Sequence, residues 1–221
     1  MLFVLVSCHV FVDSSCPSDM KLISGGDFTL GSDLGQTWEE SLYEVTLDSF
    51  CMDIYEYPNK KDQKPKGNIS FWSAQKLCEA ENKRLCSSAE WERACRGTKR
   101  RRYSYGDVYD RQKCNTPIFG GGPGKGKRAP IQPSGLYTEC VSEDGIYDLN
   151  GSLSEWVSDP WSDFPEPFSN VPMVNPATWR TIRGGTMWNN TFYGQECSSR
   201  HGHNGTMSFM DDGFRCCAAT Q

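Results

Sequence analysis

The sequence lacks several features that would place it quickly in a common class of protein. It has 3 histidines and, among 11 cysteines, no Cys-x-x-Cys pair, so the spacing typical of zinc and thioredoxin-type sites is missing. No apolar run is long enough to cross a bilayer as a helix. No internal repeat is visible, which argues against a solenoid or propeller. These absences favour one compact domain, and 221 residues are enough for a substantial core.

Clusters of positively charged residues are also scarce. The formal net charge is −5, and the only strongly basic run is Lys99–Arg102, which we interpret as a solvated loop after a helix. The glycine-dense stretch Gly120–Lys127 is likewise predicted to be a loop. It lacks the hydroxyl residue and the following helix that a phosphate-binding P-loop requires. Nucleic acid is therefore not an expected partner.

Cysteine, by contrast, is abundant. Eleven cysteines without metal-ligand spacing are more than a reducing cytosol usually tolerates. We therefore expect an oxidising, extracytoplasmic compartment such as the periplasm or the cell surface.

The N-terminus begins with a short apolar run, Met1–Cys8, which is typical of a secretion signal. Leu5–Cys8 is similar to the lipobox at which bacterial lipoproteins are cleaved and acylated on cysteine. Acylation of Cys8 would attach the protein to a membrane through a lipid; the alternative is an ordinary cleaved signal with Cys8 discarded. We predict a leader over residues 1–15 and one domain over residues 16–221.

Two helices are predicted, over Ser70–Asn82 and Ser87–Arg96. Ser70 can cap the first helix, and Trp72, Ala74, Leu77 and Cys78 form its apolar stripe. The second helix opens with the Ser-x-x-Glu pattern of a capping box. The rest of the chain is rich in turns, which predicts a strand-poor structure.

Six blocks of the sequence together resemble the formylglycine-generating enzyme (sulfatase-modifying factor) family. In chain order they are CPSDMKLISGGDFTLGS at 16–32, FCMDIYEYPN at 50–59, RLCSSAEWERACRG at 84–97, GIYDLNGSLSEWV at 145–157, RGG at 183–185 and GFRC at 213–216. Their order and spacing are close to those of the family. The resemblance implies an α+β, C-type-lectin-like fold that is held together by disulfides and bound calcium.

The resemblance also implies two disulfides, Cys78–Cys216 and Cys95–Cys197. Setting Cys8 aside, six cysteines remain, and their positions suggest three further pairs, although sequence alone does not fix connectivity. These pairs are Cys86–Cys217, Cys16–Cys51 and Cys114–Cys140.

The catalytic cysteines of the family have no counterpart here. The family's two copper(I)-binding cysteines lie between the Arg-Gly-Gly strand and the next disulfide cysteine, but this chain has no cysteine between Cys140 and Cys197. The two positions fall on Asn189 and Gly194, or on Met187 and Phe192, depending on the end from which they are counted. We therefore predict no catalytic residue and no copper cofactor.

A structural calcium site is the ligand site that the resemblance implies most directly. Asp148 and Glu155 would supply side-chain oxygens, and Gly151 and Leu153 would supply main-chain carbonyls, an oxygen-rich shell of the kind calcium requires. The alternative is a tight turn in which Glu155 pairs with an arginine. The family's other calcium site would use Asn115 and Thr116, but its distal aspartate is missing.

His201 and His203 form a second group of possible metal ligands. In a strand, both could point to one face and bind a metal together with Asp211 or Asp212. Two histidines make an incomplete site, so we favour a polar loop for this segment.

The absence of the family's catalytic cysteines determines the function that we predict. We expect a non-catalytic binding or scaffold module with a protein or peptide partner in the family's groove. The alternative is a formylglycine-generating oxidoreductase that matures sulfatases, or a related family enzyme, with a shifted site. Six aromatic residues could serve binding or belong to the core: Trp156, Trp161, Phe164, Phe168, Trp179 and Trp188.

Overall fold

The computed structural model describes residues 15–33, 42–117, 129–161, 176–185 and 192–221. Outside the described residues lie positions 1–14 of the predicted leader, with Cys8, the whole of the glycine-dense loop Gly120–Lys127, and Phe164, Phe168 and Trp188.

Both predicted helices are confirmed. Helix α1 spans Phe71–Ala80, and the Ser70 hydroxyl accepts a hydrogen bond from the Ser73 amide at 3.4 Å. Helix α2 spans Ser88–Arg96 and begins with the predicted capping box, in which Ser87 and Glu90 each accept from the other's amide. Within the described ranges, no helix has the length and apolar character needed to cross a membrane.

Ten strands and two 3-10 helices make up the rest of the described regular structure. The strands are β1 (Met20–Ile23), β2 (Gly26–Leu30), β3 (Tyr43–Leu47), β4 (Phe50–Asp53), β5 (Arg84–Leu85), β6 (Ser154–Pro160), β7 (Trp179–Arg183), β8 (Arg200–Asn204), β9 (Asp212–Phe214) and β10 (Cys216–Ala219), and the 3-10 helices are Pro176–Thr178 and Phe192–Gln195.

These strands form one sheet of order β1-β4-β10-β5, a hairpin of β2 and β3, and a second sheet of order β8-β7-β6-β9. All pairs are antiparallel except β6 and β9. The α+β class is confirmed, with more strands than the strand-poor expectation.

The core consists of two clusters of buried side chains. Trp91 of α2 belongs to the first cluster, with Phe50, Met52 and Val157. Trp156 belongs to the second, where it is 1% exposed and its indole donates to the Ile69 carbonyl at 2.9 Å. Trp156 is therefore a core residue and not part of a binding surface.

A buried ion pair joins α2 to β7. The guanidinium of Arg183 lies 3.0 Å from the Glu92 carboxylate, and both side chains are fully buried. Arg183 also donates to the Ser88 hydroxyl at 2.7 and 2.9 Å. The arginine of the Arg-Gly-Gly block thus attaches the first turn of α2 to the second sheet.

All five expected cysteine pairs are disulfides in the structure: Cys16–Cys51, Cys78–Cys216, Cys86–Cys217, Cys95–Cys197 and Cys114–Cys140. They include every cysteine of the described residues. Cys78–Cys216 and Cys86–Cys217 join the α1–β5 region to adjacent residues of β10. This region is therefore covalently attached to the C-terminal strand.

Candidate functional site

The predicted calcium loop precedes β6 and is tightly curled. Asp148, Gly151 and Ser152 all have φ between 59° and 79°, the left-handed region. A side chain at Gly151 would collide with the Asn115 carbonyl, which explains the glycine. The loop leads into β6, whose second residue is Glu155, and the side chains of Asp148 and Glu155 are both buried.

Glu155 is paired with an arginine. Its two carboxylate oxygens accept from Arg215 at 2.6 and 2.7 Å, and the Trp91 indole donates to one of them at 2.8 Å. Glu155 and Arg215 are buried, at 0% and 1% exposed. These three donors use three of the roughly four lone-pair positions of the carboxylate, so about one remains for another ligand.

Asp148 lies in the same buried region. One of its oxygens accepts from the Gly135 amide at 2.7 Å. Burial raises the pKa of Asp148 to about 6, with a further contribution from Glu155, while the Gly135 amide and Arg215 act in the opposite direction.

Glu56 is a third carboxylate of this cluster, and no sequence motif singled it out. It is fully buried, and it accepts from the Leu153 amide at 3.0 Å and from the Ser152 hydroxyl at 3.2 Å. Burial, followed by the negative charges of Asp148 and Glu155, raises its pKa well above the ordinary value. Three buried carboxyl groups thus share the positive charge of Arg215.

The donor chemistry of this carboxylate cluster suits calcium. Hard divalent cations take oxygen ligands, and this region places three buried carboxyl groups beside one arginine. Within the described part of the chain, however, no three His, Cys, Asp or Glu side chains converge closely enough to hold a metal by themselves. A calcium ion here would rely on main-chain carbonyls and water as well as on carboxylates.

The histidine segment is a strand, β8, and the polar-loop interpretation was wrong. β8 pairs with β7, which places His201 opposite Ile182 and His203 opposite Arg180. The two imidazole ring centres are 4.8 Å apart, and the Nδ1 of His203 lies 3.2 and 3.4 Å from the Asp212 oxygens. The carboxylate that lies beside the histidine pair is therefore that of Asp212.

The segment that would carry the family's cysteine pair is described only in part. Gly194 lies in the 3-10 helix Phe192–Gln195, whereas Met187 and Asn189 lie outside the described residues. Gly185 has a φ of 83° and lies directly against the Gln195 side chain. Neither pair of candidate positions contains a thiol.

Comparison with known proteins gives one family match. The family of the sulfatase-modifying factor enzyme 1-like domain matches residues 56–220. Among curated proteins, the serine/threonine-protein kinases Pkn1 of Chlamydia trachomatis and pkn1 of Chlamydia caviae are each 27% identical to this chain over 90% of its length. The match covers 38% of each chlamydial protein.

Solved structures of other proteins have a similar fold. PvdO from Pseudomonas aeruginosa superposes with a TM-score of 0.68 at 18% identity, covering 90% of this chain and 94% of that one. Treponema denticola variable protein 1 gives a TM-score of 0.66 at 16% identity, with the same two coverages. At these identities the similarity concerns the fold alone.

Proposed function

The chain belongs to the sulfatase-modifying factor enzyme 1-like family, and we propose that it is an extracytoplasmic, non-catalytic binding or scaffold module of that family. The observation that carries this proposal is the state of the cysteines. All ten cysteines of the described residues are in disulfides, so none of them is available as a thiolate. Copper(I) chemistry of the family's type needs a pair of thiolates.

The disulfides also support the extracytoplasmic location, because bridges in such number persist in oxidising compartments. A lipid on Cys8 would keep the module at a membrane surface. No kinase activity is proposed, since the name of the chlamydial relatives describes proteins of which this chain matches 38% of the length.

A protein or peptide is the proposed partner. Large apolar side chains are exposed at the loop between β8 and β9, where Met207 and Met210 are 50% and 59% exposed and Phe209 is 39% exposed. Trp72, 40% exposed, lies near this loop because the Phe71 amide donates to the Gly205 carbonyl. Clustered apolar surface of this kind is typical of interaction sites.

We predict that the protein does not oxidise a sulfatase-type Cys-x-Pro-x-Arg peptide, with or without copper(I). A thiolate pair is required to hold the metal, and residues 186–196 contain no cysteine. Mass spectrometry of the peptide after incubation with copper-loaded protein reports loss of the thiol and gain of the aldehyde directly.

A formylglycine-generating enzyme with its cysteine pair intact serves as the positive control, and copper without protein as the negative control. Aldehyde above the protein-free level would overturn the non-catalytic proposal and support the alternative, an oxidoreductase with a shifted site.

We further propose that calcium binds the loop Asp148–Glu155 as a structural ion. Asp148 and Glu155 would supply carboxylate oxygens, and Gly151 and Leu153 would supply carbonyls. Glu56, which accepts from the Leu153 amide, would hold the loop in place. The ion would supply the positive charge that Arg215 alone does not give to three carboxylates.

Calcium is expected to raise the melting temperature of the wild-type protein relative to EDTA. A ligand bound only by the native state stabilises it by about 2.7 kcal/mol at a concentration one hundred times its Kd. Asp148→Asn should abolish most of this difference and is preferred to a change at Glu155, which also holds Arg215. Differential scanning calorimetry in calcium and in EDTA measures the difference.

Glu139→Gln is the matched control, because its side chain is 70% exposed and lies outside the loop. It should respond to calcium like the wild type. Equal melting temperatures of the wild type in calcium and EDTA would show that the loop is a turn without an ion.

A further inference from the structure

His201 and His203 are brought to one face of β8 by the strand itself. Residues two apart on a strand point the same way, and β8 lies at the edge of its sheet. The ring centres are 4.8 Å apart with the planes at 72°. Two imidazoles bound to one metal at about 2.0–2.1 Å would have their ring centres about 5 Å apart.

Asp212 fixes the orientation of His203. Both carboxylate oxygens lie beside Nδ1, at 3.2 and 3.4 Å, so the proton of a neutral ring is held on Nδ1. The other ring nitrogen, Nε2, is then left with its lone pair. This is the carboxylate–histidine arrangement that orients metal-binding imidazoles in proteins.

His201 supplies the second, independent observation. Its Nε2 is buried and has no hydrogen-bond partner. A buried polar atom without a partner is energetically costly, and such an atom in a native protein requires a ligand or water.

His203 lies among aromatic side chains. The rings of Trp156 and Phe209 lie 6.0 and 5.0 Å from His203. Arg180, the cation opposite His203 in the sheet, is held over the rings of Phe71 and Trp72 at 5.0 and 4.8 Å. These aromatic contacts hold the positive charge of Arg180 away from the two histidines.

We propose that His201 and His203 bind a divalent transition-metal ion of the zinc, nickel and copper class through imidazole nitrogens, with Asp212 as the positioning residue. Only two protein side chains coordinate the ion, which agrees with the lack of a three-residue metal cluster among the described residues. Water completes the coordination and leaves positions open to a ligand. The proposal stands apart from the binding-module function and from the calcium loop.

The test uses the full chain in excess calcium, with zinc as the titrant in isothermal titration calorimetry. Wild type should bind one zinc ion, and His201→Phe and His203→Phe should each lose at least tenfold in affinity. Asp212→Asn should weaken binding by about 10–100-fold while leaving both imidazoles present. The matched control is Glu139→Gln, whose side chain is 70% exposed, and it should bind zinc like the wild type.

Copper(II) electron paramagnetic resonance of the wild type provides a readout that does not depend on folding of the variants. Hyperfine structure from two nitrogen donors is expected, with one donor lost in each histidine variant that folds. Absence of zinc binding by the wild type, binding that His201→Phe and His203→Phe leave unchanged, or a copper spectrum without nitrogen donors would overturn the proposal.

Discussion

Replacing Arg215 by methionine is expected to lower the free energy of unfolding by about 3–5 kcal/mol, the range for removal of one partner from a buried ion pair. Methionine preserves most of the apolar bulk but leaves the carboxylates of Glu56, Asp148 and Glu155 without their arginine. Urea denaturation followed by tryptophan fluorescence, in EDTA, measures the change.

The control is Arg84→Gln. Arg84 also pairs with a glutamate, Glu90, at 2.6 Å, but its side chain is 48% exposed. Exposed pairs contribute about 0–1 kcal/mol, so this variant should unfold almost like the wild type. If the two arginine variants cost the same, the carboxylate cluster is not the buried, charge-compensated unit described above.

Local sequence signals were sufficient for the two helices. Ser70 and Ser87 mark the helix starts because a serine hydroxyl satisfies an amide that the first turn leaves unpaired, a requirement independent of the rest of the fold. The disulfides were predictable for another reason. Resemblance to a family gave two of the pairs, and positions relative to those two gave the other three.

The strands were harder to predict because their stability comes from distant partners. β5 has 2 residues and β9 has 3, too few to show an alternating pattern. β8 reads as a polar loop in the sequence. It becomes a strand by pairing with β7, which lies beyond the reach of any local signal.

Glu56 illustrates the same limit within the candidate site. The sequence does not distinguish a buried glutamate from an exposed one. Leu153, whose amide donates to Glu56, lies 97 residues away along the chain. The resemblance identified Asp148 and Glu155, which lie together in one loop. The charge of the site depends equally on Glu56 and Arg215, which only the folded chain brings to that loop.

The stabilising effects of the disulfides Cys78–Cys216 and Cys86–Cys217 are expected to be non-additive. They close loops of nearly the same length, with sequence separations of 138 and 131, between the same two regions. When one bridge is intact, the other constrains only a short additional loop of about ten residues. In the loop-entropy description, removing either bridge alone should cost about 3 kcal/mol.

Removing the second bridge then opens a loop of about 30 residues, because Cys95–Cys197 still connects nearby positions, and should cost about 3.5–4 kcal/mol more. The combined loss of about 6–7 kcal/mol is comparable to the whole stability of many domains, so the variant without both bridges is expected to be largely unfolded. Paired alanine substitutions, measured by urea denaturation and far-ultraviolet circular dichroism, give each step.

The control is the Cys16–Cys51 bridge, which has a separation of 35 and whose loop no other bridge shortens. Its removal alone should cost about 4 kcal/mol, more than removal of either bridge of the redundant pair. Equal costs for all three single-bridge variants would contradict the redundancy. The relative losses of stability in the three single-bridge variants therefore show whether the two bridges to β10 act on the unfolded chain as one constraint or as two.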